Sequence, residues 1–246
     1  MNSPASELDA LFESAPAASK RFDPAAFANL PPPVQGYLRG AIAPGTPLAS
    51  AVRLRMHGSL RLKRWRRFVA EEVLVQGRGM IWRAKVRMGL FGVRGFDRFV
   101  DGVGAMQWKL GGVVSVVRAD GPDVTRSAAG RFAAESIWLP SVFCDERVTW
   151  RADNGVVHAR LPTDGEVQDL ALSLSRGCLQ QVSLKRWGNP DDGAFGSFDF
   201  GAQVEQQARF GGYTIPARVR VGWHLGSPGF DEGQFFHATI DEATFR

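Results

Sequence analysis

Apolar and polar residues alternate strictly along several stretches of the chain. Residues 80–88 are typical, because Trp82 and Ala84 alternate with Arg83 and Lys85. A period of two is characteristic of strands that bury one face and expose the other, as antiparallel strands do. The same pattern occurs in residues 52–56, 170–174, 217–225 and 236–240. With Gly- and Asp-containing turns between such stretches, it predicts roughly ten to twelve strands.

Helical signals precede the strands. Asp23 provides an N-cap and Pro24 suits the first helical position, so a short helix is predicted after them. The three prolines at 31–33 end that helix and begin another. In this second helix, apolar residues recur at helical spacing between Val34 and Ala41.

A longer helix is predicted over residues 123–139, where Pro140 ends it. A helix between two runs of strands is expected to cover the apolar side of a curved sheet. The predicted fold class is therefore mainly β, a large curved antiparallel sheet (a half-barrel) that wraps one helix, with short N-terminal helices. Residues 1–20 are small and polar and predict a flexible tail, which leaves 21–246 as a single β-rich domain.

The apolar face of the longer helix also carries charge. Arg131 and Glu135 lie four residues apart on the side that holds the large apolar residues. One interpretation is an ion pair within the helix, tied to polar groups of the strands. The other is that the pair lines an interior cavity and fixes the polar end of a ligand. Ser127 borders the pair, and the strand-end acids Asp97 and Asp101 could join it.

The chain has seven tryptophans, and three of them, Trp82, Trp138 and Trp223, fall on core-facing positions. Large aromatic residues commonly fill the interface between a sheet and a helix. They also suit an apolar pocket of the kind that ligand-holding barrels enclose. The predicted ligand-binding residues are Ser127, Arg131, Glu135, Trp138, Trp82, Trp187, Trp223 and Asp97.

Positive charge is concentrated in one part of the sequence. The formal net charge is +5, and thirteen Lys or Arg residues stand against three acids between residues 51 and 100. Residues 61–67 contain five of these cations and Trp65. This run suits an anionic polymer or lipid, but also a solvated hairpin tip. A nucleic-acid partner is not favoured, because no accompanying motif is present.

Other features restrict the class of protein. No run of eighteen apolar residues occurs, and residues 1–20 lack a signal-peptide core, so a cytoplasmic protein without a transmembrane segment is expected. Cys144 and Cys178 lack metal or redox spacing and are expected to be free thiols. Phosphate-binding, hydrolase and zinc-protease motifs are absent, so neither a cofactor nor a metal is predicted.

Several motifs resemble an uncharacterised bacterial family, known only as a domain of unknown function. They are SAAGRFAAESIWLP (127–140), RWGNP (186–190), FVDGVGAMQW (99–108), YTIPARVRVGW (213–223) and PPPVQGYLRGAIAPG (31–45). The fold that this resemblance implies is similar to the half-barrel of bacterial lipoprotein carriers, in which a curved sheet wraps a helix and holds an acyl chain. On the matching motif, Ser127, Arg131 and Glu135 are the polar positions of interest.

Three functions follow from these patterns. The first is binding of a hydrophobic or amphipathic small molecule between sheet and helix, with Arg131 and Glu135 at its polar head. The second is an enzyme that uses Glu135 as an acid or base beside Arg131. The third is a surface binder of anionic polymers that acts through residues 61–67.

Overall fold

The computed structural model of the protein describes residues 4–88, 91–153, 155–163, 166–190 and 193–246. Within these residues, thirteen antiparallel strands form one curved sheet that does not close. The strands are β1 (Ala51–Leu62), β2 (Arg64–Val75), β3 (Gly79–Met88), β4 (Phe91–Val100), β5 (Val103–Leu110), β6 (Val114–Asp120), β7 (Thr149–Asp153), β8 (Val156–Thr163), β9 (Glu166–Ser175), β10 (Cys178–Gly188), β11 (Gly196–Phe210), β12 (Tyr213–Trp223) and β13 (Gln234–Phe245).

The order of the strands follows from local hairpins. Strands β1 to β6 form one series of antiparallel neighbours, and β7 to β13 form another. The two series join where β1 pairs with β13, so the first and last strands meet inside the sheet. The edges are β6 and β7, which are consecutive in the chain. The segment that links them crosses from one edge of the sheet to the other.

Helices occupy this crossing segment, the N-terminal part of the chain and the connection between β12 and β13. The α-helices are α1 (Pro4–Glu13), α2 (Pro32–Ala41), α3 (Pro122–Glu135) and α4 (Phe230–Gly233). Short 3-10 helices span Pro24–Phe27, Ser136–Trp138 and Pro140–Cys144. The predicted fold class is confirmed, because a mainly antiparallel sheet wraps the central helix α3.

The two short helices predicted before the strands are both present, the first as a 3-10 helix and the second as α2. Asp23 caps the first 3-10 helix, since its carboxylate accepts a hydrogen bond of 2.9 Å from the Ala25 amide. In α2, the predicted apolar stripe is buried against the sheet and the crossing segment. This helix lies close to the β9–β10 turn, where the carbonyl of Gly36 would be only 2.9 Å from a Cβ atom at Gly177.

The expected flexible tail does not hold for residues 4–13, which form helix α1. Leu8 and Leu11 of this helix are buried against Val73, Val75 and Ile81, on the outer face of the sheet. Burying these side chains offsets the entropy of ordering a short helix. Residues 1–3 of the predicted tail lie outside the described residues.

Helix α3 packs on the inner face of the sheet between β5 and β10. The predicted helix over 123–139 is α-helical only to Glu135, and 3-10 turns continue it toward Cys144. Gly130 allows close packing here, because a Cβ atom at this position would lie 3.0 Å from Cγ of Arg186 on β10. The inner face therefore holds the main apolar core and the side chains of α3.

Two further features concern membrane crossing and the cysteines. Within the described part of the chain, no helix is long and apolar enough to cross a membrane. Cys144 and Cys178 are both free, and burial raises the pKa of Cys144 to about 12.

Candidate functional site

Arg131 of α3 lies at the centre of a group of carboxyl groups. Its Nε donates to Glu135 over 2.7 Å, and its Nη1 donates to Asp97 on β4 over 2.8 Å. A third carboxyl group, that of Glu72 on β2, lies 3.6 Å from Nη2. The ion pair of the helix is thus tied to strand groups, as the first interpretation of this pair predicts. Asp101 does not join the group, because it pairs with Arg78.

The strand residues of this group form one row across the inner face. Glu72, Trp82 and Asp97 are successive cross-strand neighbours on β2, β3 and β4. The Trp82 ring centroid is 5.1 Å from the Arg131 guanidinium carbon. Trp108 on β5 extends this row to a fourth strand, since its Nε1 donates to Asp97 over 3.0 Å. Four neighbouring strands therefore position the partners of one helical arginine.

Glu72 was not among the predicted site residues, yet it is the most deeply buried charged group of the site, with a side chain only 1% exposed. Neither of its carboxyl oxygens has a hydrogen-bond partner among the described residues. Burial raises the pKa of Glu72 well above its usual value, and Glu135 beside it raises that pKa further. A sequence signal existed, because Glu72 alternates in phase with the buried residues of β2.

The positive charge of Arg131 is balanced by the carboxyl groups around it. Burial alone would lower the pKa of Arg131, but the carboxyl groups of Glu135, Asp97 and Glu72 raise it above the usual value. Its side chain is 17% exposed. Because acids already surround this guanidinium, an added anionic ligand would have to displace one of them.

A second arginine, Arg186 on β10, faces the same side of the sheet. Its Nε donates to the backbone carbonyl of Ser127 over 3.0 Å, and its Nη2 donates to the Ser127 hydroxyl over 3.2 Å. Its guanidinium carbon lies 4.5 Å from the ring centroid of Phe200 and 5.1 Å from that of Trp223. Arg186 is therefore held between one polar residue of α3 and two aromatic rings.

The carboxylates that act on Arg186, those of Glu135 and Asp97, pair with Arg131 instead. Among the described residues, no carboxylate lies within ion-pair distance of this half-buried side chain. Burial and the positive charge of Arg131 together lower the pKa of Arg186 to about 9, against the opposing effect of the Glu135 and Asp97 carboxylates. The group is still a cation at neutral pH. Sequence reasoning missed it, although Arg186 follows Val182 and Leu184 in the phase of the inner face.

Aromatic side chains surround Arg186 at this end of the sheet. Trp223 contacts both Phe200 and Phe235, with ring centroids 5.1 Å and 6.3 Å away. Trp223 and Phe235 are half-buried, so part of the cluster is open to solvent. Gly188 makes room for Trp223, because a Cβ atom there would lie 2.4 Å from the indole ring. We name Arg186, Ser127, Phe200, Trp223 and Phe235 the Arg186 cluster.

Two of the other predicted tryptophans are set apart from this cluster. Trp138 is buried, and its Nε1 donates to the Pro216 carbonyl over 3.0 Å. Trp187, near the end of β10, contacts the first turns of α3, where its Nε1 donates to Asp123 over 2.8 Å and Arg126 stacks on its ring. The predicted residues thus divide among the Arg131 group, the Arg186 cluster and these two separate positions.

The basic run 61–67 forms the β1–β2 hairpin. Its turn is exposed, and Lys63 has a positive φ of 57°. The ring of Trp65 stacks on His237 with centroids 4.3 Å apart, on the outer face. Arg66 is half-buried in phase with the buried Phe68. Because the cations of this hairpin are divided between two faces of the sheet, they do not form one continuous patch.

The larger cavities lie on the outer face of the sheet. One of about 810 Å³ is lined by residues that include Val69, Lys85 and Arg94. Its neighbour of about 1190 Å³ shares Val69 and Lys85 with it. A small cavity of about 130 Å³ lies near Phe132, beyond the C-terminal half of α3. None of these three cavities is lined by a residue from the predicted ligand-binding set.

Several solved bacterial structures match the chain at low identity. A putative outer membrane lipoprotein-sorting protein domain from Vibrio parahaemolyticus is 10% identical with a TM-score of 0.43, and the match covers 80% of this chain and 86% of that one. A DUF1329 family protein from Desulfovibrio piger is 10% identical with a TM-score of 0.42, covering 80% and 86%. A LolA superfamily protein from Nitrosomonas europaea is 10% identical with a TM-score of 0.40, covering 87% and 92%.

Sequence comparison gives the family. No curated protein matches the chain. Residues 20–235, which are most of the sequence, match a family of unknown function, DUF6544. The five motifs quoted above all lie within this range, and they indicated such a family. The chain therefore belongs to the DUF6544 family.

Proposed function

We propose that the protein binds an amphipathic small molecule with an anionic head, and that Arg186 contacts that head. The observation that carries this proposal is a half-buried guanidinium without an ion-pair partner among the described residues. Buried charges in proteins are normally paired, because an uncompensated ion is costly. A carboxylate or phosphate of a ligand would supply the missing charge and accept hydrogen bonds from the guanidinium.

The surroundings of Arg186 suit the rest of such a molecule. Trp223 lies next to the guanidinium and Phe235 lies next to Trp223. Both are half-buried, and they offer an apolar surface to a hydrocarbon chain. Ser127 would orient the cation, since its carbonyl and hydroxyl oxygens both accept from it. In the Arg186 cluster, the guanidinium would therefore bind the charged head of the ligand, and the aromatic rings would contact its apolar tail.

The Arg131 group takes a supporting part in this proposal. Arg131, Glu135 and Asp97 join α3 to the sheet and so fix the helix that carries Ser127. Trp82 packs against the same group, and Trp138 anchors the end of the helix to β12. Trp187 would border the site beside the first turns of α3. In this proposal Arg186 contacts the polar head of the ligand, whereas the sequence suggested Arg131 for that contact.

Native mass spectrometry of the purified protein tests the proposal, followed by organic extraction of any retained molecule. We expect an adduct whose extracted ligand carries a carboxylate or phosphate. Arg186→Leu should lose the adduct. Arg160→Leu should retain it, because Arg160 is an exposed residue of β8 that pairs with Asp169.

Three results would contradict the proposal. The first is a protein that stays free of ligand and takes up no long-chain fatty acid when one is added. The second is an adduct that Arg186→Leu keeps at the wild-type level. The third is chemical conversion of the added molecule, which would favour the alternative of catalysis by Glu135.

A further inference from the structure

The β5–β6 hairpin exposes large apolar side chains to solvent. The exposed fractions are 37% for Leu110, 83% for Val113, 61% for Val114, 50% for Val116 and 44% for Val117. Strand β6 is an edge of the sheet. Soluble proteins usually protect edge strands with charge or a covering segment, and large contiguous apolar patches usually mark an interaction site. We name these five residues the apolar hairpin.

A row of cations on the outer face leads to this hairpin. Lys85 on β3 lies opposite Arg94 on β4, and Arg94 lies opposite Lys109 on β5. Lys109 directly precedes Leu110, the first residue of the apolar hairpin. We name Lys85, Arg94 and Lys109 the basic row. All three line the cavity of about 810 Å³ on this face.

The basic row is electrostatically different from the arginines nearby. In the adjacent row of the same face, Arg55 pairs with Glu242 and Arg83 pairs with Glu71. Within the residues that the structure describes, the basic row has no such ion pair. Its charge is thus free for an outside anion, at the place where the sheet also exposes apolar residues.

We propose that the apolar hairpin and the basic row together bind the surface of an anionic lipid bilayer. Valine and leucine side chains gain free energy when they leave water for the acyl boundary of the headgroup region. Lysine and arginine beside them meet the negative phosphates, and each cation near an anionic leaflet strengthens binding about fivefold. The outer-face cavity gives headgroups room beside the basic row. This inference does not depend on the proposed ligand of Arg186, which lies on the inner face.

Co-sedimentation with lipid vesicles tests the inference. The probes are vesicles of equal parts phosphatidylcholine and phosphatidylglycerol, and vesicles of phosphatidylcholine alone. The full chain should bind the mixed vesicles at low salt and should bind the neutral ones far more weakly. Binding to the mixed vesicles should fall as salt screens the charges.

Two variants separate the contributions of the cations and of the apolar side chains to vesicle binding. Neutralising the basic row in K85Q/R94Q/K109Q should weaken binding about a hundredfold, as three fivefold losses multiply. V113S/V114S should weaken binding while its salt dependence is retained, because only apolar contacts are removed. The matched controls are R151Q/R160Q/R209Q, which removes three arginines from strands β7, β8 and β11, and V103S/V167S, whose valines are 58% and 51% exposed. Both controls should bind like the wild type.

Several outcomes would overturn the inference. They are the absence of binding to the mixed vesicles at low salt, equal binding to both vesicle types, and losses in the control variants as large as those in the test variants. A dimer in sedimentation equilibrium that V113S/V114S dissociates, without vesicle binding by the wild type, would assign the hairpin to a second copy of the chain instead. Circular dichroism of each variant should show the wild-type fold.

Discussion

Arg131 on helix α3 and Asp97 on strand β4 lie 2.8 Å apart, and this contact ties the central helix to the sheet. The same guanidinium donates to Glu135 one turn along the helix. Neither charge is well solvated, since the side chains of Arg131 and Asp97 are 17% and 20% exposed. The pair thus determines the position of α3, and with it the position of Ser127 beside Arg186.

Removal of this cation should strongly destabilise the fold. Arg131→Leu leaves Asp97 and Glu135 as partly buried, uncompensated carboxylates, and we expect a loss of about 3–5 kcal/mol in the free energy of unfolding. Denaturant unfolding followed by tryptophan fluorescence measures this loss. Arg160→Leu is the control and should change stability by only about 0–1 kcal/mol, because its ion pair is exposed. Equal effects of the two substitutions would contradict this account of the Arg131 group.

Glu72 should make stability depend on pH. Its pKa in the folded protein is raised, so its contribution is fully present below the ordinary pKa of 4.5 and is lost as the pH rises through the raised pKa. Glu72→Gln keeps the shape and removes the titration. The variant should therefore gain stability relative to the wild type as the pH rises above that ordinary value. Unfolding free energies of both proteins across a pH series test this, and a constant difference between them would show that Glu72 does not titrate abnormally.

Gly95 on β4 should be intolerant of even one added methyl group. A Cβ atom at this position would lie 2.4 Å from the Trp108 ring and equally close to the backbone oxygen of Gln107. We expect Gly95→Ala to destabilise the protein by about 1–3 kcal/mol through overpacking. Gly193→Ala is the matched control, since a Cβ atom there has open space around it. Thermal unfolding of both variants checks the prediction, and a Gly95→Ala protein as stable as the control would disprove it.

Helix α1 should contribute measurably to stability. Leu8 is 1% exposed and packs on the outer-face cluster that contains Val73 and Ile81. Leu8→Ala should cost about 2–5 kcal/mol of unfolding free energy, as buried leucines do elsewhere. Leu62→Ala removes the same atoms from a side chain that is 43% exposed and should cost much less. If Leu8→Ala were as mild as the control, residues 4–13 would behave in solution as the tail that the sequence predicts.

The fold could be predicted from the sequence because its signals are local. Alternation over residues such as 80–88 defines strands, and Asp23 with Pro24 defines a helix start, without knowledge of distant parts of the chain. Helix α1 was missed because its order depends on an apolar surface that β2 and β3 create only in the folded sheet. Tertiary packing of this kind often outweighs weak local propensity.

The site could be predicted only in part, for a related reason. The spacing of Arg131 and Glu135 along one helix is visible in the sequence, and so is their position on its apolar face. Partners on other strands require the register of the sheet, which joins Glu72 to Trp82 and Asp97. Arg186 lies in the inner-face phase of β10, but only the packing of α3 and β12 shows that it lies against Trp223 and has no ion-pair partner within the described ranges.

The most direct test of the central claim compares two ligands of equal chain length, palmitic acid and hexadecanol, in binding to the wild type and to Arg186→Leu. The wild type should bind the acid at least about tenfold more tightly than the alcohol, because a hydrogen bond to a charged group contributes about 1.5–3 kcal/mol. The variant should lose that preference and retain its affinity for the alcohol, as an unchanged apolar surface requires. A wild type that binds both ligands equally, or a variant that still prefers the acid, would contradict the assignment of Arg186 as the anionic anchor.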